Sequence, residues 1–340
     1  MSVWIENEGP EKDVVVSSRV RLARNFAGLA FPNRMSETER EESLARCREF
    51  ALKNDFKCIQ MRDISHMERE MLVERHIASP DVVNHAYGAV AMSNDELISV
   101  MFNEEDHLRI QAFAPGYNTQ KALDEAIAKD VEISCQWQYA YDDQFGFLTC
   151  CPTNVGTGLR ISVMLHLPVL SMTNNIQRTF QSVAKVGMTV RGIYGEGTDA
   201  LGNMYQLSNQ MTLGQSETEI LRTLNAACDQ IIKNERTVRL LMFKNQRLEF
   251  EDMVHRALGT LTHARRMGTR EYMRLLSDVR LGIYCKIISD LPPRIVDRLI
   301  VEGSSHHLEV RAKRGLTFME RDMERAKLAR QMLTTKEEIQ

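Results

Sequence analysis

The chain predicts an α+β fold, with a mainly antiparallel sheet flanked by helices over residues 1–240 and an all-helical domain over residues 241–340. Three observations carry this. Strand-like apolar runs come in adjacent groups, at 88–92, 97–102 and 107–113, and again at 146–149, 159–167, 188–193 and 204–208. Helical stretches of ~12 to 18 residues separate the groups rather than single strands, which favours antiparallel pairing. Beyond residue 216 helical spacing continues almost to the end.

The elements follow in order. Ser36-Glu37-Thr38-Glu39 is a capping box, in which the serine hydroxyl and the glutamate carboxylate each satisfy a free backbone N–H, so a helix should run from Ser36 to about Lys53. Thr119 to Gln136 has helical spacing, with Ala122, Ile127 and Val131 expected near one face. Ser216-Glu217-Thr218-Glu219 is a second box, opening a long amphipathic helix through Ile220, Leu224, Ala227 and Ile231 to beyond Val238. Thr269 is placed to cap a later helix, Pro292-Pro293 to mark a break, and Gly303 to end another helix. The His306-His307 pair reads as exposed loop and not as a metal site.

At 340 residues the chain is long enough for a large core and two domains. Hydrophobic residues at 43% and charged ones at 26% are ordinary for a globular protein, and a net charge of −3 gives no reason to expect nucleic-acid or membrane binding. Seven cysteines without a Cys-x-x-Cys pair argue against a disulfide framework and for a reducing compartment. The acidic N-terminus lacks the parts of a signal peptide, and no apolar run approaches the ~20 residues of a membrane helix. A cytoplasmic protein is expected.

The chemistry concentrates around Cys151-Pro152-Thr153-Asn154-Val155-Gly156-Thr157-Gly158-Leu159-Arg160. Glycines free the backbone to expose N–H groups, and N–H groups converging with a guanidinium suit an anion, phosphate above all. Alone, this loop is better read as a tight turn beside a structural cysteine. It is accompanied by Ser17-Ser18-Arg19-Val20-Arg21 and Asn103-Glu104-Glu105-Asp106-His107-Leu108-Arg109 upstream, and by Val190-Arg191-Gly192-Ile193-Tyr194-Gly195-Glu196 downstream. Arg19 and Arg21, if on a strand, point to one face.

With these four segments in order, residues 13–240 resemble the phosphagen kinases, the arginine and creatine kinase family. Within it the chain looks most like the bacterial protein arginine kinases, the McsB family. The resemblance implies the same α+β fold and an ATP-dependent phosphotransferase. Arg19, Arg21, Arg109, Arg160 and Arg191 match the residues that hold the nucleotide's phosphates, a task suited to the planar guanidinium fork. Glu105 and Glu196 match the two catalytic carboxylates, and Cys151 matches the reactive thiol, expected to position the substrate electrostatically and not to form a covalent intermediate. A guanidinium is a poor nucleophile because its lone pairs are delocalised, so carboxylates must orient it and accept its proton. Glu105 is the stronger base candidate and Glu196 the orienting partner. Glu104 and Asp106 are placed to support the loop or the metal shell. Mg²⁺ is expected with ATP, held through phosphate oxygens and water, and no structural metal site is expected.

Two positions depart from the family pattern. Met164 stands where many members carry a histidine near the adenine, and Tyr194 where arginine kinases carry another arginine. Two further features favour a protein over a free metabolite as substrate. Only sixteen residues precede Ser17, too few for the helical domain that other phosphagen kinases fold there, which should leave the site open. Near the C-terminus, Arg321-Asp322-Met323-Glu324-Arg325-Ala326 fits a motif that in protein arginine kinases forms an allosteric phosphoarginine pocket. Arg321 and Arg325 share a helix face, so both guanidinium groups are expected on the phosphoryl oxygens with Asp322 on the ligand's guanidinium. On spacing alone the same residues fit a solvated helix with ion pairs.

The resemblance further implies a role in stress responses, through a heat-shock repressor and damaged proteins as substrates and the Clp protease as the downstream machinery. It also implies a zinc-binding activator protein and a homodimer. A small-molecule guanidino kinase and a phosphoarginine-binding adaptor are the alternatives.

Overall fold

The computed structural model describes residues 3–173, 175–193 and 200–334. A short helix α1 (Val3–Glu6) precedes the long strand β1 (Val15–Arg24), followed by α2 (Glu37–Lys53), β2 (Lys57–Gln60), α3 (His66–Glu74) and α4 (Pro80–Asn84). Next come β3 (Ala89–Met92), β4 (Ile98–Phe102), β5 (Leu108–Pro115), α5 (Thr119–Ser134) and a small ribbon of β6 (Tyr141–Asp142) with β7 (Gly146–Phe147). Strand β8 (Leu159–His166), helices α6 (Pro168–Met172) and α7 (Ile176–Ala184), and strands β9 (Met188–Gly192) and β10 (Met204–Asn209) complete the sheet region. The remainder is helical: α8 (Glu217–Asn245), α9 (Arg247–His263), α10 (Thr269–Tyr284), α11 (Pro293–Glu302), α12 (Ser305–Ala312) and α13 (Phe318–Thr334).

The main sheet has eight strands in the order β2-β3-β4-β5-β1-β8-β10-β9, and each neighbouring pair is antiparallel. Strand β1 is central because alternate residues serve both faces. Val20 and Leu22 join Ile110, Ala112, Ile161, Val163 and Leu207 in one core. That face is covered by Leu44 and Phe50 of α2, Ala122, Ala126 and Ile133 of α5, and Ile220, Leu224 and Ile231 of α8. Each large apolar side chain among them contributes about 1.5–3 kcal/mol when removed from water.

The opposite face is covered only in part. Phe113, Met164 and Met204 pack there with Trp4 of α1 and with Val254, Tyr272, Leu276, Val279 and Leu299 of the C-terminal helices. Met164 is thus an element of this second core. Where that cover stops, the same face carries arginines.

Both capping boxes open the expected helices, with Ser36 accepting from Glu39 N–H and Ser216 from Glu219 N–H. Pro292 and Gly303 bound α11 as expected, while Gly268 and not Thr269 occupies the cap position of α10. Helix α8 runs unbroken to Asn245, across the boundary expected at residue 240.

Three expectations are corrected. Ile127 and Val131 are exposed, 38% and 56%, because α5 lies on the sheet through Ala122, Leu123, Ala126 and Ile133, whose two alanines allow close approach. His306 and His307 are not loop. They sit in the first turn of α12, where their backbone N–H groups and Nδ1 atoms all meet the Glu74 carboxylate at 2.7–3.0 Å, so that Glu74 caps α12 from α3. The run at 146–149 forms only the two-residue β7. Among the described residues, no helix is long and apolar enough to cross a membrane.

Candidate active site

The pleat of β1 places Arg19 and Arg21 on the open face, while Ser18, Val20 and Leu22 turn to the core side. The buried Ser18 hydroxyl is satisfied there, donating to Gly116 O at 2.9 Å. The antiparallel register sets Arg21 opposite Arg160 of β8 on one side and Gln111 of β5 on the other, with Arg109 opposite Ala23. Arg191 of β9 stands opposite Gln206 of β10. All five arginines expected from the sequence therefore share one sheet face.

Three of them are held by neighbours. Arg19 donates to Gln206 Oε1 at 2.7 Å, Arg160 donates to Ser208 Oγ at 3.1 Å, and Arg109 is ion-paired with Glu104. Donors remain to spare, since the Nε atoms of Arg21 and Arg160 are buried with no hydrogen-bond acceptor among the described residues. Burial, then repulsion from Arg19, Arg109 and Arg160, pushes Arg21 well below the usual arginine range, with Glu104 opposing. Burial, followed by Arg191 and Arg109, lowers Arg160 in the same way. Cations crowded like this call for an anion with several oxygens.

Glu105 is carried by the β4–β5 hairpin. Asn103 takes the left-handed conformation, φ 57°, which asparagine tolerates better than most residues. Its side chain donates to Tyr87 O at 2.9 Å and to Arg40 O of α2 at 3.2 Å. Asp106 accepts from Asn25 Nδ2 and from the Cys150 N–H, both at 2.7 Å, so one carboxylate joins the hairpin to the cysteine loop. His107 accepts the Phe26 N–H at Nδ1 and meets Ala30 O at Nε2, 2.8 Å away, which keeps the ring neutral with its proton on Nε2. Of the two neighbours expected to support the loop or a metal shell, Asp106 supports the loop and Glu104 holds Arg109.

The cysteine loop is fastened separately. Thr212 Oγ1 donates to Thr153 O and Val155 O at 2.8 and 2.7 Å, and Arg24 donates to Thr157 O at 2.9 Å. Gly158 has φ +61°, and a Cβ there would lie 2.6 Å from Ala23 O, so the close approach of the loop to β1 requires glycine. Cys151 Sγ lies 3.0 Å from Thr153 Oγ1. Cys150, by contrast, is pushed up to about 12 by burial and by the Asp106 carboxylate.

Glu105, Cys151, Arg21, Arg109 and Arg160 line one pocket with Thr153, Asn154 and Gly158. Glu105 lies 4.0 Å from Arg109, and burial, then the Asp106 and Glu104 charges, raise its carboxyl above the ordinary range. A second cavity shares Arg21 and Arg109 and adds Arg19, Glu74, His76, Asp81 and Gln111. His76, not singled out by the sequence, is pushed down to about 3 by burial and by Arg19 and Arg21, and is therefore neutral. It follows the end of α3 in a left-handed conformation, φ 58°, and no local pattern announces it. Glu196, Tyr194 and the rest of 194–199 lie outside the described residues.

The C-terminal motif lies on α13. Asp322 Oδ1 accepts from Arg325 at 2.8 Å, as the spacing predicts. Arg325 is buried and also donates to Gly303 O and Met267 O, both at 2.9 Å, so its guanidinium is committed to the fold and not presented with that of Arg321. Arg321 turns instead to Leu316 O at 3.2 Å and to Glu309 at 3.7 Å.

Comparison with known proteins gives a consistent result. Residues 38–238 match the ATP:guanido phosphotransferase C-terminal catalytic domain, and residues 247–340 match the protein-arginine kinase McsB C-terminal domain. The chain is 43% identical to the protein-arginine kinase of Halothermothrix orenii, covering 98% of this chain and 97% of that one. It is 41% identical to the protein-arginine kinase of Bacillus subtilis, covering 98% and 93%. Among solved structures it resembles a lombricine kinase, with TM-score 0.58, 25% identity and coverage of 69% of this chain and 70% of that one. The duplicated taurocyamine kinase of Schistosoma mansoni shares the fold, with TM-score 0.60, 22% identity and coverage of 86% of this chain and 48% of that one. With both domain types matched in order and relatives aligned over nearly their full length, the chain belongs to the protein-arginine kinase (McsB) family of ATP:guanido phosphotransferases.

Proposed function

We propose that the protein transfers the γ-phosphoryl group of ATP to arginine side chains of proteins, forming phosphoarginine. The observation that carries the reading is the shared pocket of Glu105, Cys151, Arg21, Arg109 and Arg160. In this reading Arg19, Arg21, Arg109, Arg160 and Arg191 take the phosphate oxygens and offset the charge that spreads over the transferred group. Glu105, raised above the ordinary carboxyl range and anchored through its hairpin to Asn25 and Cys150, orients the substrate guanidinium and accepts its proton. Cys151 holds another edge of the guanidinium electrostatically, and Glu196 acts as the second orienting carboxylate. Among the described residues, no group of three or more His, Cys, Asp or Glu side chains is placed to hold a metal. We assign Mg²⁺ to the phosphate oxygens and water, because the ion keeps several waters and binds chiefly through substrate phosphates in sites of this kind.

The choice of a protein substrate is supported by the C-terminal domain match and by relatives named protein-arginine kinase. On family membership alone, the reading extends to a cytoplasmic homodimer acting in stress responses with a zinc-binding activator protein. The same support covers a heat-shock repressor and damaged proteins as targets, and marking for the Clp protease. It also covers allosteric phosphoarginine binding at the motif of Arg321, Asp322 and Arg325, with Arg321 and Asp322 meeting the ligand and the buried Arg325 holding Asp322 in place.

Incubation with ATP and a protein mixture, followed by mass spectrometry that preserves acid-labile N-phosphates, tests the activity. Phosphoarginine in the proteins is expected, with little turnover of free arginine. Efficient phosphorylation of free arginine without protein product would overturn the choice of substrate.

A further inference from the structure

Two cysteines outside the cleft face each other. Cys47 lies in α2 and is fully buried beside Leu44 and Phe50, while Cys58 lies in β2 at the sheet edge and is partly exposed. Their Sγ atoms are 3.6 Å apart. Burial pushes the Cys47 thiol up, whereas the hydrogen bond from Cys47, and then the Arg48 guanidinium, holds Cys58 down at about 7. The partly exposed sulfur is thus the more readily ionised one, and a second sulfur stands behind it.

We propose that Cys47 and Cys58 form a peroxide-sensitive dithiol that closes to an intramolecular disulfide and staples α2 to the edge strand β2. The Cys58 thiolate attacks one oxygen of a hydroperoxide, forming S–O as O–O breaks, and the departing hydroxide takes up a proton and leaves as water. Cys47 then attacks the Cys58 sulfenic sulfur, forming S–S as S–O breaks, and the second hydroxide leaves with the Cys47 proton. For hydrogen peroxide, two thiols lose two electrons and two protons, and one peroxide becomes two waters. Closing to the ~2.05 Å of a disulfide draws the sulfurs together by about 1.5 Å, a movement within reach of a helix packed on a strand. The staple bears on the helix whose Arg40 carbonyl supports the Glu105 hairpin through Asn103.

The test treats the reduced full chain with hydrogen peroxide, quenches with acid, blocks remaining thiols with N-ethylmaleimide under denaturing conditions, and maps peptides by mass spectrometry. The expected product is a Cys47–Cys58 linked peptide pair that dithiothreitol reverses and that forms before the exposed Cys135 loses its free thiol. Cys47 that stays alkylatable at a peroxide dose oxidising Cys135, or Cys58 ending as sulfinic acid, overturns the proposal. Cys47→Ser, which keeps a hydrogen-bond donor beside Cys58, should let Cys58 accumulate as a sulfenic acid trapped by dimedone, and Cys58→Ser should leave Cys47 reduced. If Cys47→Ser fails to fold, the native chain and Cys58→Ser still decide, because oxidation of Cys47 without Cys58 contradicts the order of attack.

Discussion

Replacing Arg21 by methionine should weaken nucleotide binding while leaving the unliganded protein at least as stable. Arg21 is crowded by Arg19, Arg109 and Arg160, its Nε has no acceptor among the described residues, and burial adds to the cost of its charge. At an effective dielectric of ~20, a like charge on the order of 5–10 Å away costs about 2–3 kcal/mol, and Glu104 offsets part of this. Methionine keeps an unbranched apolar stem and removes the charge. Charged hydrogen bonds to phosphate are worth about 1.5–3 kcal/mol, so Kd for ATP should rise roughly 10- to 150-fold. Calorimetric titration gives the affinity, and melting curves with and without ATP give the stability. An unliganded Arg21→Met protein that melts several degrees below the native chain refutes the crowding argument. Binding within about twofold of native refutes the phosphate role.

Four further variants have expected outcomes. Glu105→Gln should lower kcat roughly 10²- to 10⁴-fold with a small change in KM. Because the Glu105 carboxyl is raised, the native acid limb should lie above that of an ordinary glutamate, and rate–pH profiles should lose that limb in the variant. Asp278 is raised to about 6 by burial, so the folded state binds its proton more tightly than the unfolded chain does. The resulting penalty is complete above pH ~6 and relieved as pH falls towards ~4, so Asp278→Asn should raise Tm at pH 7.5 and change it little at pH 4.5. Asp322→Ala should abolish any response of the kinase to added phosphoarginine and also lower stability, because the buried Arg325 guanidinium loses its carboxylate partner. Arg325→Ala should destabilise the C-terminal helices by roughly 3–5 kcal/mol in urea unfolding, because it empties a buried site and strands two carbonyls.

Much of the fold is written in local chemistry. The boxes at Ser36 and Ser216 need only four residues each to declare a helix start, and both do so. Ser65 and Glu68 form a third box of the same kind, yet the helix it opens is only nine residues long and carries little apolar pattern. Ile127 and Val131 show the limit of periodicity: Leu123, Ile127 and Val131 are evenly spaced, but the position of the sheet decides which side of α5 is buried. In the site, Arg19, Arg21, Arg109, Arg160 and Arg191 are legible because their motifs are contiguous in the chain. Gln206, Ser208 and His76 are not, since strand register and the end of α3 bring them in from segments with no motif of their own. The place of His306 and His307 is hidden for the same reason: their partner, Glu74, lies more than 230 residues away.

Helix α8 has a mechanical consequence. It is 29 residues long, about 44 Å at 1.5 Å per residue, and its ladder continues past the last strand into the C-terminal region. Near its start Ile220 and Leu224 are sunk in the sheet's core. Further along, Glu235 accepts the Val169 and Leu170 N–H groups and Arg239 clasps Asp13. The helix therefore acts as a girder bolted at two places: a load entering near its C-terminal end is carried along one unbroken hydrogen-bond ladder to the β8–α6 corner, while the break at Gln246 separates it from α9.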